Sequence, residues 1–382
     1  MHCTAEQCFL TAMTSAHDPV QAAGELAAQL QHPSLGCVLF FCSAEYPLAS
    51  LAVALENAFG AVTVIGCTSA GEISAAGYGR GCISAIGFDA NAFAVDCTLI
   101  RALDNFTLVD AQAAVEQMLN HCRQVDLAPI KNHTFALTLL DGLSSREEVV
   151  LSTLSTALGS IPHFGGSAGD DNHLSHTHVY YQGGFHTGAA VLVMINTWLD
   201  FEVFTTHHMQ PMDAKLVVTA ADSESRTVLE LNAEPAAEEY ARLVGVPVEE
   251  LKLSTFALNA LAVRIRDQFY VRSIQRVNAD HSLTFYCAVD TGIVLTAMQP
   301  GPLLPGLRLQ LEKIRQRLGE PVLIIGCDCF LRRMEAELRE EDDSLSAFLA
   351  ANKVVGFNTY GEQYNGMHIN QTFTGVAFAI PA

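Results

Sequence analysis

The sequence predicts an α/β protein of two domains, assembled from repeated strand–helix–strand units with mixed sheets. Three observations carry that expectation. Short apolar runs of strand length alternate with stretches of 3.6-residue periodicity. This order of segments returns three times along the 382 residues. Each return also ends in one turn chemistry, a Ser or Thr followed by Ala or Tyr, Gly and an acid.

The first unit opens with the apolar run Cys37–Cys42 and continues, after Pro47, into a helix over Leu48–Phe59. Ala61–Gly66 is the second strand and Ile83–Phe88 follows a Gly-rich turn. The second unit reads Phe135–Leu140, a helix over Ser145–Leu158, Ile161–Phe164, and strands ending in Ala189–Ile195. The third reads Pro321–Gly326, helices within Leu331–Ala350, Val354–Thr359, and Gly375–Ile380. Their tails align as Gly66-Cys-Thr-Ser-Ala-Gly-Glu72, Phe164-Gly-Gly-Ser-Ala-Gly-Asp170 and Gly356-Phe-Asn-Thr-Tyr-Gly-Glu362, which suggests internal duplication. Between the second and third units, Lys215–Ala220 and Thr227–Leu231 read as a hairpin, with a helix near Pro235. A domain boundary is expected near residues 210–225. Gln299–Leu307 carries three prolines and reads as a loop into a helix over Leu309–Leu318.

Composition narrows the function classes. Half of the residues are hydrophobic and 16% are charged, enough apolar side chain for large cores. The formal net charge of −20 repels phosphate backbones and anionic lipid, so neither nucleic-acid nor membrane-surface binding is expected. Eleven scattered cysteines and the opening MHCTAEQCFL read as reduced thiols in a cytoplasmic protein. No apolar run has the length of a membrane span, so no insertion is expected.

The Gly–acid tails are the strongest candidates for a site. A glycine there permits φ > 0 and offers backbone N–H groups at a strand end, where α/β sheets bind ligands. Gly71 with Glu72, Gly169 with Asp170, and Gly361 with Glu362 are therefore ligand candidates; the alternative is a tight turn whose acid caps backbone donors. The segment Gly356–Ala377 is dense in hydrogen-bonding groups. Strand alternation would put His368, Asn370 and Thr372 on one face with Glu362, near Tyr360, and Arg332 or Arg333 could add a cation. Histidines cluster at His163, His173, His176, His178 and His186, followed by His207 and His208. A two-residue turn at Gly183-Gly184 would set His186 opposite Tyr181, with His178 and Tyr180 on the other face. Such opposed imidazoles do not make a zinc site together, whereas one could serve as an axial haem ligand. Cys327 and Cys329 stand at a strand end, without a C-x-x-C motif. The acidic run Glu335–Asp343 reads as a solvated helix face or a docking surface for a basic partner.

GCTSAGE (66–72), GGSAGDD (165–171), NAEPAAEEY (232–240), the CDCFLRR region (327–333) and GFNTYGEQYNGMHINQT (356–372) together resemble the FIST family of bacterial sensory proteins. The resemblance covers nearly the whole chain, with residues 1–215 similar to FIST N and 216–382 to FIST C. It implies a ligand-sensing, non-enzymatic module in signal transduction, working with a histidine kinase or a cyclic-di-GMP signalling protein. Because the sequence closes at Ala382 without an output segment, action on a partner in trans is expected. The arrangement is similar to stand-alone NosP-type members of the family, which implies noncovalent haem b, nitric oxide as ligand and regulation of a partner kinase. His186 or His178 would then ligate the iron. The alternative under the same resemblance is a sensor of a small polar metabolite such as an amino acid.

Overall fold

The structure, a computed structural model, describes residues 8–381. Residues 1–7, Cys3 among them, and residue 382 lie outside the described residues. The first unit runs β1 (Phe9–Thr14), α1 (Pro19–Gln29), β2 (Leu35–Ser43), α2 (Leu48–Phe59), β3 (Thr63–Ser69), a short hairpin β4 (Glu72–Ser74) and β5 (Gly77–Gly79), and β6 (Ile83–Asp89). The second repeats the order: β7 (Phe93–Ile100), α3 (Leu108–Val125), β8 (Thr134–Leu140), α4 (Glu147–Leu158), β9 (His163–Ser167), hairpin β10 (Val179–Tyr181) and β11 (Gly184–His186), and β12 (Ala190–Thr197). The third begins at β13 (Asp200–His207) and is interrupted by a second domain. That domain holds β14 (Met209–Asp222), β15 (Thr227–Leu231), β16 (Glu234–Pro235), α5 (Ala236–Val244), α6 (Leu253–Leu258), β17 (Leu261–Ile265), β18 (Gln268–Arg272), β19 (Ile274–Val277), β20 (Leu283–Phe285) and β21 (Val294–Pro300). The third unit then resumes with α7 (Leu303–Leu318), β22 (Leu323–Cys329), α8 (Phe330–Leu338), α9 (Asp342–Ala351), β23 (Val354–Thr359), hairpin β24 (Glu362–Tyr364) and β25 (Met367–Ile369), and β26 (Thr372–Ala379).

Two of the helices start at side chains that accept from their free N–H groups. Asp18 accepts from the Gln21 N–H ahead of α1, and Thr107 forms a reciprocal capping box with Asp110 at α3. Helix α7 begins at Leu303, inside the segment expected as a loop. Pro305 falls in its first turn, where a missing N–H leaves no helical bond unmade.

The three units do not share one sheet. Each builds a separate six-stranded mixed sheet of the same order, β1-β6-β2-β3, β7-β12-β8-β9 and β13-β26-β22-β23, completed by a hairpin from another unit. Hairpin β4–β5 pairs with β23 of the third unit, β10–β11 with β3 of the first, and β24–β25 with β9 of the second. The exchange closes a three-way cycle. Strand alternation divides each sheet between two cores. Cys37, Leu39 and Phe41 of β2 face a common core that also holds Phe135, Phe164, Phe357 and Phe378 from the other two sheets. Val38, Phe40 and Cys42 face out, under α1 and α2. The second and third sheets are covered by α3 with α4 and by α7, α8 and α9.

Two expectations of register are corrected. The β10–β11 turn is Gln182-Gly183, both with φ > 0, so His186 stands opposite Val179 and Gly184 opposite Tyr181. A type I′ turn needs positive φ at both central positions, and Gln182 accepts it here although it is not glycine. His368, Asn370 and Thr372 do not line one strand face. The chain leaves β25 at Ile369, turns through Gln371 at φ 52°, and enters β26 in a different sheet.

Candidate functional site

The three Gly–acid turns meet one another, and their backbone groups are spent on that meeting. Gly169 and Asp171 N–H donate to the carbonyls of Thr68 and Ser69 at 3.0 and 3.1 Å. Ala70 N–H donates to the Asn358 carbonyl at 2.9 Å, and Asn358 N–H to that of Gly71 at 2.7 Å. Ser167 N–H donates to Gly361 at 2.9 Å. The strand-end N–H groups expected to face a ligand therefore tie the units together. At Gly71, with φ 141°, a Cβ would sit 2.3 Å from Arg333 Nη1, so the close approach requires glycine.

In equivalent places two of the three acids are raised and one is lowered. Glu72 is fully buried, accepts from the Ser69 hydroxyl at 2.5 Å, and burial pushes its carboxyl up to about 7. Glu362 is likewise buried; Thr372 donates to its Oε2 through N–H at 2.9 Å and hydroxyl at 2.8 Å, and burial pushes it up to about 8. Burial acts on Asp170 too, but the Tyr360 hydroxyl, the N–H groups of His176 and Ser175 and the Ser175 hydroxyl outweigh it and hold it below the usual carboxylate range.

Arg332 is fully buried in a network of its own. Its Nε donates to Asp328 at 2.8 Å and its Nη1 to His208 Nδ1 at 3.0 Å, while His208 Nε2 lies 2.6 Å from Glu335. Tyr78, on the hairpin delivered from the first unit, donates to the same Asp328. Arg333 contacts the Gly79 carbonyl and Asn358. Glu335 is thus buried rather than part of a solvated acidic face.

A second polar cluster lies where the inserted domain meets the repeats. Arg226, in the β14–β15 turn, donates through Nη2 to Glu147 and Glu148 at 2.5 Å each and through Nη1 to the Ser144 carbonyl at 3.0 Å. Glu148 also accepts from Ala288 N–H at 2.8 Å and lies 3.2 Å from His368 Nδ1. Cys287 Sγ donates to Asn370 Oδ1 at 3.0 Å, and Ser273 N–H reaches the same oxygen at 3.1 Å. Burial alone would lower the His368 imidazole; its neighbours Cys287, Glu148 and Glu147 outweigh this and raise it to about 10. At Gly361 a Cβ would fall 1.9 Å from His368 Nε2, so glycine there makes room for the ring. Four buried polar atoms of this seam have no partner among the described residues: Glu147 Oε1, Arg226 Nε, Ser273 Oγ and His368 Nε2.

The expected ligand residues are thus divided. Tyr360 and Gly361 stand at the turn junction with Gly71, Glu72, Gly169, Asp170 and Glu362, where Thr372 also arrives. His368 and Asn370 belong to the seam, and Arg332 to neither. Glu147, Glu148, Arg226, Ser273 and Cys287 were invisible as a group, because no motif links residues up to 140 positions apart, the span from Glu148 to Ala288. The histidines also disperse: His163 is buried against Thr138 in the second sheet, and His208 is in the Arg332 network. His178 is half-buried with its Nδ1 unpartnered, edge-on to Phe185, and burial lowers its pKa.

Two family descriptions match the chain, the FIST N domain over residues 36–234 and the FIST C domain over 236–365. The chain belongs to the FIST family, whose domains serve sensory signal transduction. It is 24% identical over 291 residues to an uncharacterized protein of Methanocaldococcus jannaschii, a match covering 66% of this chain and 55% of that protein. The chain thus spans about half the length of that relative. No described helix is long and apolar enough to cross a membrane.

Proposed function

We propose that this protein senses a small polar ligand at the seam between its inserted domain and its three-unit body, and passes the change to a signalling partner. The observation that carries the reading is the set of four partnerless polar atoms buried at that seam. Each such atom costs about 1–3 kcal/mol when left unpaired. A zwitterion such as an amino acid offers the complementary groups: a carboxylate for Arg226 Nε and an ammonium for Glu147 Oε1. Binding that prefers one docking of the inserted domain shifts the population between two arrangements, which is what a sensor requires. A histidine kinase or a cyclic-di-GMP protein is the partner class we propose, and sensing rather than turnover is the role.

Haem, with nitric oxide as its ligand, is supported less well. His178 offers a half-buried imidazole that burial keeps neutral, the form that ligates iron. The 370 Å³ cleft beside the hairpin is lined by Tyr180, Tyr181, Gln182 and Gly183 with Glu56 and Asp96, and by neither His178 nor His186. A porphyrin in that cleft would lack both histidines as iron ligands.

The test is thermal unfolding of the purified chain against a panel of amino acids and related zwitterions, beside an absorption spectrum after haemin addition. A saturable rise in melting temperature that is lost in Glu147→Gln supports the seam. A stoichiometric Soret band that disappears in His178→Ala overturns it in favour of haem.

A further inference from the structure

We infer that Glu148, Cys287 and His368 form a binding site for a single divalent transition-metal ion of the zinc class. The inference rests on the seam being a binding site, and it deepens that reading by naming an inorganic component. A thiol sulfur, a ring nitrogen and a carboxylate oxygen from these residues lie within 4.8 Å of one another. They come from three separate parts of the fold, α4, the segment after β20, and β25, so the cluster does not follow from any one element's geometry.

The donor set is chemically selective. Calcium and magnesium take oxygen ligands, whereas one sulfur, one imidazole nitrogen and one carboxylate oxygen suit zinc and its neighbours. Around zinc, bonds of about 2.3 Å to sulfur and about 2.0 Å to nitrogen or oxygen place neighbouring donors roughly 3.3–3.6 Å apart. The His368 Nδ1 to Glu148 Oε1 distance of 3.2 Å already matches such an edge.

The surroundings supply the outer contacts that metal ligands need. Ala288 N–H at 2.8 Å holds Glu148 Oε1, and Arg226 holds Glu148 Oε2. Asn370, fixed by Ser273 N–H, faces the sulfur. Sulfur ligates as the thiolate, so the Cys287 thiol proton leaves to solvent as the ion enters. Cys287 and His368 are buried, while the Glu148 side chain is 29% exposed and gives the ion its way in. Three protein donors leave one tetrahedral position open, which is the arrangement of zinc sites that accept an exogenous ligand.

The test uses the full chain, stripped with a chelator and titrated with Co²⁺ alone. We expect one equivalent to bind, with the intense sulfur-to-metal charge-transfer absorption of a thiolate ligand and the visible bands of tetrahedral cobalt. Cys287→Ser removes the charge-transfer band, Cys329→Ser leaves it, and Glu148→Gln weakens binding by about tenfold or more. Absence of stoichiometric binding, or a charge-transfer band that survives in Cys287→Ser, overturns the inference. X-ray absorption of the zinc-loaded wild type does not depend on any variant folding. One sulfur with nitrogen or oxygen neighbours supports the site, and a shell of oxygen alone overturns it. Failure of the metal titration alongside success of the zwitterion panel removes the ion and leaves the sensing seam; failure of both removes the seam.

Discussion

Arg226 and Glu147 meet in a buried ion pair, Nη2 to Oε2 at 2.5 Å, across 79 residues of sequence and across the join between the inserted domain and the second repeat unit. Neither side chain is more than 7% exposed. Removing one partner from such a pair leaves an uncompensated buried charge, so its loss exceeds that of a surface pair. Arg226→Ala should destabilise the protein by about 3–5 kcal/mol in chemical denaturation. Arg226→Lys should recover only part of this, because one ammonium cannot serve two carboxylates and the Ser144 carbonyl in the same geometry. A loss below about 1 kcal/mol would show that the pair behaves as a solvated one.

The common core gives a second prediction. Phe41 of β2 and Phe357 of β23 stack at 4.4 Å between ring centroids and 14° between planes, joining the first and third sheets. Both are fully buried. Phe357→Ala should cost about 3–5 kcal/mol, the range for a large aromatic removed from a packed site. Phe357→Leu keeps most of the volume and should cost clearly less. Urea midpoints at unchanged slope would measure both; equal midpoints for the two variants would mean that the site collapses around the smaller side chain.

Glu362 predicts a pH dependence of known sign. Burial raises its carboxyl from the ordinary 4.5 to about 8, so between those values the folded chain holds a proton that the unfolded chain releases. Stability therefore falls as pH rises through that window, with a slope on the order of 1 kcal/mol per pH unit for one group. Glu362→Gln mimics the protonated acid and should flatten this part of the profile while changing stability little near pH 4.5. Glu72, raised to about 7, acts in the same direction over a narrower window. Denaturation midpoints across pH 5–8 for wild type and variant decide it, and parallel profiles would assign the slope to other groups.

Much of this architecture was legible in the residues, and the limits have physical causes. Helix α2 at Leu48–Phe59 and strand β23 at Val354–Thr359 lie where periodicity and apolar runs place them. The triple Gly–acid tail marked a real repetition, since three sheets of identical strand order follow from it. The exchange of hairpins was hidden, because Glu72–Gly79 reads the same whether it pairs at home or in the third unit. The turn chemistry also carried two meanings. A glycine that lets a backbone approach a ligand equally lets it approach another backbone, and at Gly71 and Gly169 the partner is protein. The seam was hidden for a different reason. Arg226, Glu148 and Cys287 each look ordinary in sequence, and only the docking of the inserted domain brings them to His368, the one seam residue of the four that the polar C-terminal segment had marked. The β10–β11 register slipped by its turn, where a Gly-Gly pair competed with Gln182-Gly183 for the central positions.

Gly361 joins the turn junction to the seam, and its replacement separates their effects. It is absent from the positions of positive φ, so alanine is acceptable to the backbone and any penalty comes from contact alone. A Cβ there would lie 1.9 Å from His368 Nε2 and 2.8 Å from Cδ2. The imidazole must then move off Glu148, which loosens the inserted domain where Cys287 and Ala288 meet the body. Gly361→Ala should cost about 1–3 kcal/mol, the range for an overpacked core. Hydrogen exchange should rise first in residues 283–290 and not in the outward-facing helices. Gly24→Ala, in α1 with nothing within 4 Å of the new methyl, should instead stabilise by about 0.5–1 kcal/mol. Exchange that rises evenly through all three sheets in Gly361→Ala would mean that the glycine serves the turn junction rather than the seam.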